Sequence, residues 1–138
     1  MKYIALVYAS PAQLAHLSLE ELTATAAACG AWVDDLEKNG NHVYSTGLQS
    51  ASTALTIRTE NGRQTVTDGP FAEAKELVGG FTIFEARDLN EAVSQASKLG
   101  AVCQGTVEVR PLFDPFGELS DPGDMRLAEA IRSAMEPA

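Results

Sequence analysis

The chain has 138 residues, enough for one domain, and a domain of this size buries roughly two thirds of the surface that its unfolded chain exposes. Apolar residues make up 45% of it and charged residues 21%, which argues against a disordered or fibrous chain. Ten Lys and Arg against nineteen Asp and Glu give a formal net charge of −9. Because an acidic surface repels nucleic-acid phosphates and anionic membranes, we expect neither as a partner.

The N-terminal segment and the scarce Cys and His residues bear on compartment and cofactors. Tyr3 to Ala9 is apolar but too short for a membrane span or a signal peptide, so it predicts a first β-strand. Cys29 and Cys103 form no CxxC motif and predict reduced thiols in a cytoplasmic protein. His16 and His42 have no second ligand at metal spacing, so we expect no metal and no other cofactor.

The first two predicted elements are a strand and a long helix. Lys2 to Ala9 is apolar at nearly every position, which is typical of a strand buried on both faces. Ser18 and Glu21 form a capping box that begins a helix, and Gly40 follows its predicted end near Asn39. The predicted buried stripe of this helix is Leu22, Ala26, Cys29, Val33 and Leu36, with Trp32 beside it.

The middle of the chain predicts a β-hairpin. Val43 to Leu48 is a short strand candidate, and two β-rich segments follow it, Thr53 to Thr59 and Arg63 to Thr67. Asn61-Gly62 lies between these segments and is the strongest short hairpin signal, because both turn residues must tolerate positive φ.

Further strands and helices complete the predicted domain. Ala72 to Leu77 is predicted as one or two helical turns, and Gly79-Gly80 as a close backbone approach before the apolar strand Phe81 to Ala86. Asp88 caps a second long helix, with Glu91 completing a capping box. A last strand runs from Thr106 to Arg110. The predicted buried stripe of the second helix is Leu89, Ala92, Val93, Ala96 and Leu99.

The order of these elements predicts the fold. Two βαβ-type units around an inserted hairpin are best satisfied by a ferredoxin-like α+β sandwich, with an antiparallel sheet and two helices on one face, over residues 1–112. Residues 113–138 form a C-terminal extension with a helix at about 122–135, capped by Asp121 with Pro122 at its first position. That helix either docks on a partner or covers a pocket, or it is a loosely held terminus.

The face of the sheet away from the helices predicts a homodimer. The strands at Lys2–Ala9 and Phe81–Ala86 are apolar on both sides, yet the two helices cover only one side. A second subunit is the simplest cover, and sheet-on-sheet packing across a twofold axis would enclose a space between the sheets. The alternative is chance exposure of apolar residues.

The densest polar cluster is the turn that contains Asp68, Gly69, Pro70 and Phe71, followed by Lys75. Because Pro70 bars Gly69 from the helical region, the chain must turn sharply here. Asp68 either caps the short helix that is predicted next or faces a cavity as an acid or base. Lys75 either lies in solvent or stabilises a negative charge, and Phe71 is a packing anchor or a stacking group.

Three more polar side chains are candidates for the intersheet space. Tyr8 ends the first strand, Gln49 follows the short strand, and Arg58 lies in the hairpin. Because an unpaired buried guanidinium is costly, Arg58 must reach solvent or meet an acid.

The segment Val66–Phe81, with the sequence VTDGPFAEAKELVGGF, resembles the signature of the DGPF-domain proteins, a branch of the YCII-related family. Lys2–Tyr8 and Gly105–Pro111 fit the same pattern, so the resemblance covers about residues 1–112. It implies a dimeric α+β barrel with a pocket near the Asp68 turn at the dimer interface. The His–Asp pair of shorter YCII-like relatives is not matched, because the place of its histidine falls near Cys29.

These observations predict a dimeric small-molecule-binding protein, either catalytic or not. As an enzyme it would use Asp68 as acid or base on a small apolar or aromatic substrate, with Lys75 or Arg58 stabilising negative charge. The alternatives are a non-catalytic ligand-binding or accessory dimer, which the resemblance associates with sigma factors, and a structural interaction module. The predicted ligand-binding residues are Tyr8, Gln49, Arg58, Gly69, Pro70, Phe71 and Lys75.

Overall fold

The computed structural model describes residues 1–138 and contains six strands and four α-helices. The strands are β1 (Lys2–Ala9), β2 (His42–Gly47), β3 (Leu55–Glu60), β4 (Arg63–Asp68), β5 (Leu77–Glu85) and β6 (Thr106–Pro111). The helices are α1 (Pro11–Ala15), α2 (Leu19–Lys38), α3 (Leu89–Cys103) and α4 (Pro122–Met135), and one 3-10 turn spans Ala51–Thr53. None of the helices combines the length and the apolar composition that crossing a bilayer requires.

Four strands form one antiparallel sheet in the order β2-β5-β1-β6, and β3 pairs with β4 as a separate hairpin. This is the strand order of a ferredoxin-like βαββαβ fold, with the hairpin inserted between its second and third strands. One buried cluster joins β1 and β5 to both α2 and α3, so the two helices cover the same face of the sheet. The predicted fold is confirmed, and the sheet of the single chain is not closed into a barrel.

Trp32 connects the two helices and the sheet of this core. Its side chain is 6% exposed, and its indole N–H donates to the carbonyl of Gln95 on α3 at 2.9 Å. Its ring meets that of Phe84 on β5 edge-on, with 6.3 Å between centroids. An aromatic side chain that contacts both helices and the sheet fixes their relative position.

The predicted stripe of α2 is wrong in its N-terminal half. Trp32 and Leu36 are buried and Val33 is partly buried, but Leu22 is 39% exposed and Ala26 is exposed. The residues of α2 that contact the core all lie at or after Cys29. The first turns of the helix therefore extend past the core, and their apolar side chains have nothing to cover them.

The stripe of α3 is narrower than predicted. Ala92, Ala96 and Leu99 are buried, whereas Leu89 and Val93 are 52% and 48% exposed. Small alanines allow α3 to approach the sheet closely, and this leaves the neighbouring positions in solvent.

The two predicted capping boxes differ. In α2 the box is complete, because Ser18 and Glu21 each accept the backbone N–H of the other. In α3 Asp88 accepts the N–H of Glu91 at 2.9 Å, but the Glu91 carboxylate turns to Arg87 instead of returning to the cap. The predicted box at Asp88 is therefore only half formed, because a guanidinium is a stronger partner than a backbone N–H.

The helix predicted over Ala72–Leu77 does not form. Leu77 already belongs to β5, where Leu77 and Val78 pair with Ala9 and Tyr8 of β1. Ladder hydrogen bonds to β1 thus begin the strand at Leu77, and residues 72–76 before it form bends and irregular backbone. The structure instead contains a helix that was not predicted, α1, which Ser10 caps with Pro11 in its first turn.

The hairpin carries an apolar face of its own. Asn61 and Gly62 have φ of 50° and 77°, which confirms the predicted turn with two left-handed residues. Ile57 pairs directly with Val66, and Leu55 lies two residues before Ile57 on the same side. These three side chains, the hairpin's apolar face, are 61–65% exposed.

The sheet face opposite α2 and α3, the helix-free face, is apolar at its centre. Ile4 and Leu6 of β1 are partly buried there beside Ile83 and Phe81 of β5, with which they pair. Tyr44 of β2 is 54% exposed and lies 6.1 Å from the Phe81 ring, centroid to centroid. At the β6 edge, this face is charged.

The C-terminal extension contains the predicted helix at the predicted position. Asp121 accepts the N–H groups of Gly123 and Asp124 and caps α4. Met125, Ala128, Ile131 and Met135 lie on one apolar stripe of α4. Ala128 is buried and Ile131 is partly buried, whereas Met125 and Met135 are 52% and 63% exposed. The two ends of this stripe are thus open.

Candidate functional site

A cleft of about 790 Å³, the β1–β6 groove, lies where the end of β1 meets the beginning of β6. The segment before β5, here Ala74–Glu76, forms one side of the groove, and the helix α1 forms the other. Its lining residues are Tyr8, Ser10, Gln13, Ala74, Lys75, Glu76, Thr106 and Glu108. Two residues predicted for ligand binding, Tyr8 and Lys75, therefore face the same cleft.

The pleat of the sheet decides which face the groove opens on. Tyr3, Ala5 and Val7 of β1 contact the core, so Tyr8 projects from the opposite, helix-free face. In the register of β1 with β6, Thr106 lies opposite Tyr8, and Glu108 lies opposite Leu6. The sheet floor of the groove therefore belongs to the helix-free face.

Two hydrogen bonds hold the acidic side chains of the groove. The hydroxyl of Thr106 donates to Oε2 of Glu76 at 3.1 Å, which fastens the segment before β5 to β6. The Nε–H of Arg110 donates to Oε2 of Glu108 at 2.7 Å. This hydrogen bond and the charge of Glu108 raise the pKa of Arg110 above its ordinary value, so the guanidinium stays charged.

Three polar groups in the groove have no partner in the chain. The Lys75 ammonium forms neither an ion pair nor a hydrogen bond, and the Tyr8 hydroxyl and the Gln13 side-chain amide form no hydrogen bond. Each of these groups is a donor that a ligand can use.

The Asp68 turn is held by backbone groups of Gly69. Asp68 ends β4 opposite Leu55, and its exposed carboxylate makes no hydrogen bond or ion pair. Gly69 has φ of 94°, its N–H donates to the Ala54 carbonyl at 2.8 Å, and its carbonyl accepts the Thr56 hydroxyl at 2.7 Å. Because no helix follows, the predicted capping role of Asp68 is wrong.

Arg58 and Phe71 contact each other away from the groove. The guanidinium carbon of Arg58 lies 5.6 Å from the centroid of the Phe71 ring, within cation–π range. Arg58 also donates to Oε1 of Glu60 at 3.0 Å, so it reaches solvent and meets an acid, as predicted. Phe71 is 75% exposed and is not a packing anchor within this chain.

The predicted site residues thus fall into separate places. Tyr8 and Lys75 line the groove, Arg58 contacts Phe71 and both are exposed, and Gln49 and Pro70 are exposed in connecting segments. Six lining residues were not predicted from the sequence, namely Ser10, Gln13, Ala74, Glu76, Thr106 and Glu108. Only the Ser10-Pro11 pair carried a local signal, that of a helix start.

A polar chain lies at the other edge of the sheet. Nε2 of His42 lies 2.9 Å from the Ser45 hydroxyl, which lies 2.8 Å from the hydroxyl of buried Thr82. Nδ1 of His42 is 3.7 Å from a Glu37 carboxylate oxygen. This chain gives the buried Thr82 hydroxyl its partner and joins the end of α2 to β2 and β5.

A second cleft, of about 450 Å³, lies at the opposite end of β1. Met1, Lys2 and Glu85 line one side of it, and the segment that follows β6 lines the other. None of the predicted site residues reaches it.

Fold and site together define a ferredoxin-like α+β protein with a polar groove at one end of its helix-free face. Residues 1–116 match the YCII-related domain, and the chain belongs to that family. It is 40% identical over 67 residues to an uncharacterized protein of Rhizobium meliloti (strain 1021), a match that covers 47% of this chain. The match covers 54% of the relative, so the chain spans about half the length of that protein.

Proposed function

We propose that the protein is a small-molecule-binding homodimer of the DGPF branch and that the β1–β6 groove is its binding site. The observation that carries this proposal is the meeting of Tyr8 and Lys75, distant in sequence, in one cleft where neither polar group has a partner in the chain. A volume of about 790 Å³ lies within the range of small-molecule sites.

The dimer is supported by two uncovered apolar surfaces. Tyr44, on the helix-free face, is more than half exposed, and so are the three side chains of the hairpin's apolar face. A two-stranded hairpin is marginal unless something packs against it, and a second copy of the chain offers a matching apolar surface. Because the groove opens on the helix-free face, a partner that packs there would also form one of its walls.

An enzymatic role for Asp68 is the second candidate. The observation in its favour is that the carboxylate is exposed and has no partner in the chain. It lines neither of the two main clefts, so catalysis would require the partner subunit or the substrate to enclose it. Binding at the groove needs no such addition and is therefore the better supported function.

The experiment is a fragment screen by NMR on the full chain labelled with ¹⁵N. We expect fragments that bind to shift the amide signals of Tyr8, Lys75 and Thr106, and Tyr8→Phe and Lys75→Met to weaken their binding. Asp68→Asn is the matched control, and if the groove alone binds, it leaves the affinity unchanged. Binding abolished by Asp68→Asn would favour the second candidate, and the absence of any groove-binding fragment would contradict the first.

Sedimentation velocity tests the dimer separately. We expect a species of twice the chain mass at micromolar concentration. Tyr44→Lys, which places a charge on the helix-free face, should shift that species toward monomer, because burial of an unpaired charge opposes association. A wild-type chain that sediments as a stable monomer at this concentration would contradict the dimer.

A further inference from the structure

The β1–β6 groove contains one open positive charge and one open negative charge. Lys75 forms no ion pair, even with Glu76, its neighbour in sequence. Thr106 contacts only Oε2 of Glu76, so Oε1 has no partner. The negative charge of Glu108 is paired with the Arg110 guanidinium. The two unpaired charges in the groove are therefore the ammonium of Lys75 and the carboxylate of Glu76.

We infer that the groove binds small zwitterions, molecules such as free amino acids that carry an ammonium and a carboxylate together. This inference rests on the proposed function and names its ligand class. The ligand carboxylate would accept from Lys75, and the ligand ammonium would donate to Oε1 of Glu76. The neutral donors Tyr8 and Gln13 line the same cleft and can bond the second carboxylate oxygen.

The charge of the whole chain favours a zwitterion over a simple anion. A formal net charge of −9 repels anions as they approach, whereas a molecule without net charge meets no such barrier. A simple cation would satisfy Glu76 but would bring a second positive charge close to Lys75. Of these three classes, a ligand with both charges complements both side chains.

The lining of the groove also exposes more apolar than polar surface, to which the Tyr8 ring, the Ala74 methyl group and the carbon chains of the polar residues contribute. Such a surface can contact the side chain of a zwitterion while Lys75 and Glu76 pair with its two charges. An amino acid with an apolar side chain that rests on the Tyr8 ring therefore matches what the groove presents.

Three probes with one phenylethyl body test the inference, namely phenylalanine, 3-phenylpropanoate and phenethylamine, titrated into the full-length protein by NMR. We expect phenylalanine to bind about tenfold or more tightly than either singly charged probe, because charge-assisted hydrogen bonds are the strong ones. Lys75→Met should remove its advantage over phenethylamine, and Glu76→Gln its advantage over 3-phenylpropanoate. Lys98→Met, on the exposed surface of α3, is the control and should change neither ratio.

The outcomes separate this inference from the proposed function. If 3-phenylpropanoate binds the groove as tightly as phenylalanine, or if neither groove variant changes the ratios, the zwitterion inference is overturned while the groove remains a binding site. The inference is likewise overturned if none of the probes binds but neutral fragments shift groove signals. If no molecule of any class binds the groove, the proposed function itself fails. An unchanged thermal midpoint in both variants shows that lost binding is not lost folding.

Discussion

Replacing Leu36 and Leu22 by alanine, one at a time, compares the same chemical change in the buried and the exposed half of α2. Leu36 is 2% exposed, so Leu36→Ala removes three buried carbon atoms and leaves a cavity. At about 0.8 kcal/mol for each carbon plus the cavity contribution, we expect a loss of about 2–5 kcal/mol in unfolding free energy. Leu22 is 39% exposed at a surface that can close without a cavity, so Leu22→Ala should cost about 1 kcal/mol or less.

Urea unfolding followed by the fluorescence of Trp32, the single tryptophan, measures both variants with one probe. With a slope of about 2 kcal/mol per molar urea, the midpoint should fall by about 1–2.5 M for Leu36→Ala and by about 0.5 M or less for Leu22→Ala. Both variants are compared at one protein concentration, since association also stabilises the fold. Equal losses would show that α2 is buried along its whole length and would refute the difference in burial between its two halves.

Three further predictions concern a glycine, an ion pair and a thiol. A Cβ on Gly105 would lie 2.9 Å from the carbonyl oxygen of Tyr8. Gly105→Ala should therefore lower the midpoint of thermal unfolding by several degrees. An unchanged midpoint would contradict the close approach of these two backbone segments. The hydrogen bond from Arg87 holds the pKa of Glu91 below its ordinary value, so the stability that this ion pair adds is present at neutral pH and is lost as the pH falls through the lowered pKa. Calorimetry should therefore find Glu91→Gln less stable than wild type at pH 7 but not at pH 2. An equal difference in stability at both pH values would contradict this linkage. Burial, and to a smaller extent the charge of Cys103, raises the pKa of Cys29. Iodoacetamide should therefore alkylate Cys29 at pH 8 more slowly than it alkylates the thiol of free glutathione. Equal alkylation rates, measured by mass spectrometry, would contradict the raised pKa.

Local signals in the sequence located most of the elements. Asp121-Pro122 marked the start of α4, and Asn61-Gly62 marked the hairpin turn, because caps and turns depend on residues a few positions apart. The apolar segment Lys2–Ala9 predicted β1 without error. With the element order known, the strand order followed from the few topologies that such a chain can adopt.

Properties that depend on distant residues were the ones missed. Apolar periodicity cannot tell where the core under a helix ends, so Leu22 was expected to be as buried as Leu36. Ala72–Leu77 has helix-forming residues, yet only its last residue pairs with β1 and the rest forms no helix, which local propensity does not reveal. Tyr8 and Lys75 were each predicted as ligand-binding residues, but the sequence did not indicate that they line the same groove. The hydrogen bond between Thr106 and Glu76 joins residues 30 positions apart, so neither local sequence predicts it.

The place of β1 at the centre of the sheet has a consequence for biosynthesis. This strand leaves the ribosome before its two partners, β5 and β6, which begin only at Leu77 and Thr106. At about 5–20 residues per second, several seconds pass before the first of them emerges. During that interval a strand that is apolar on both faces remains unpaired, which exposes β1 to misassociation while the chain is being synthesised.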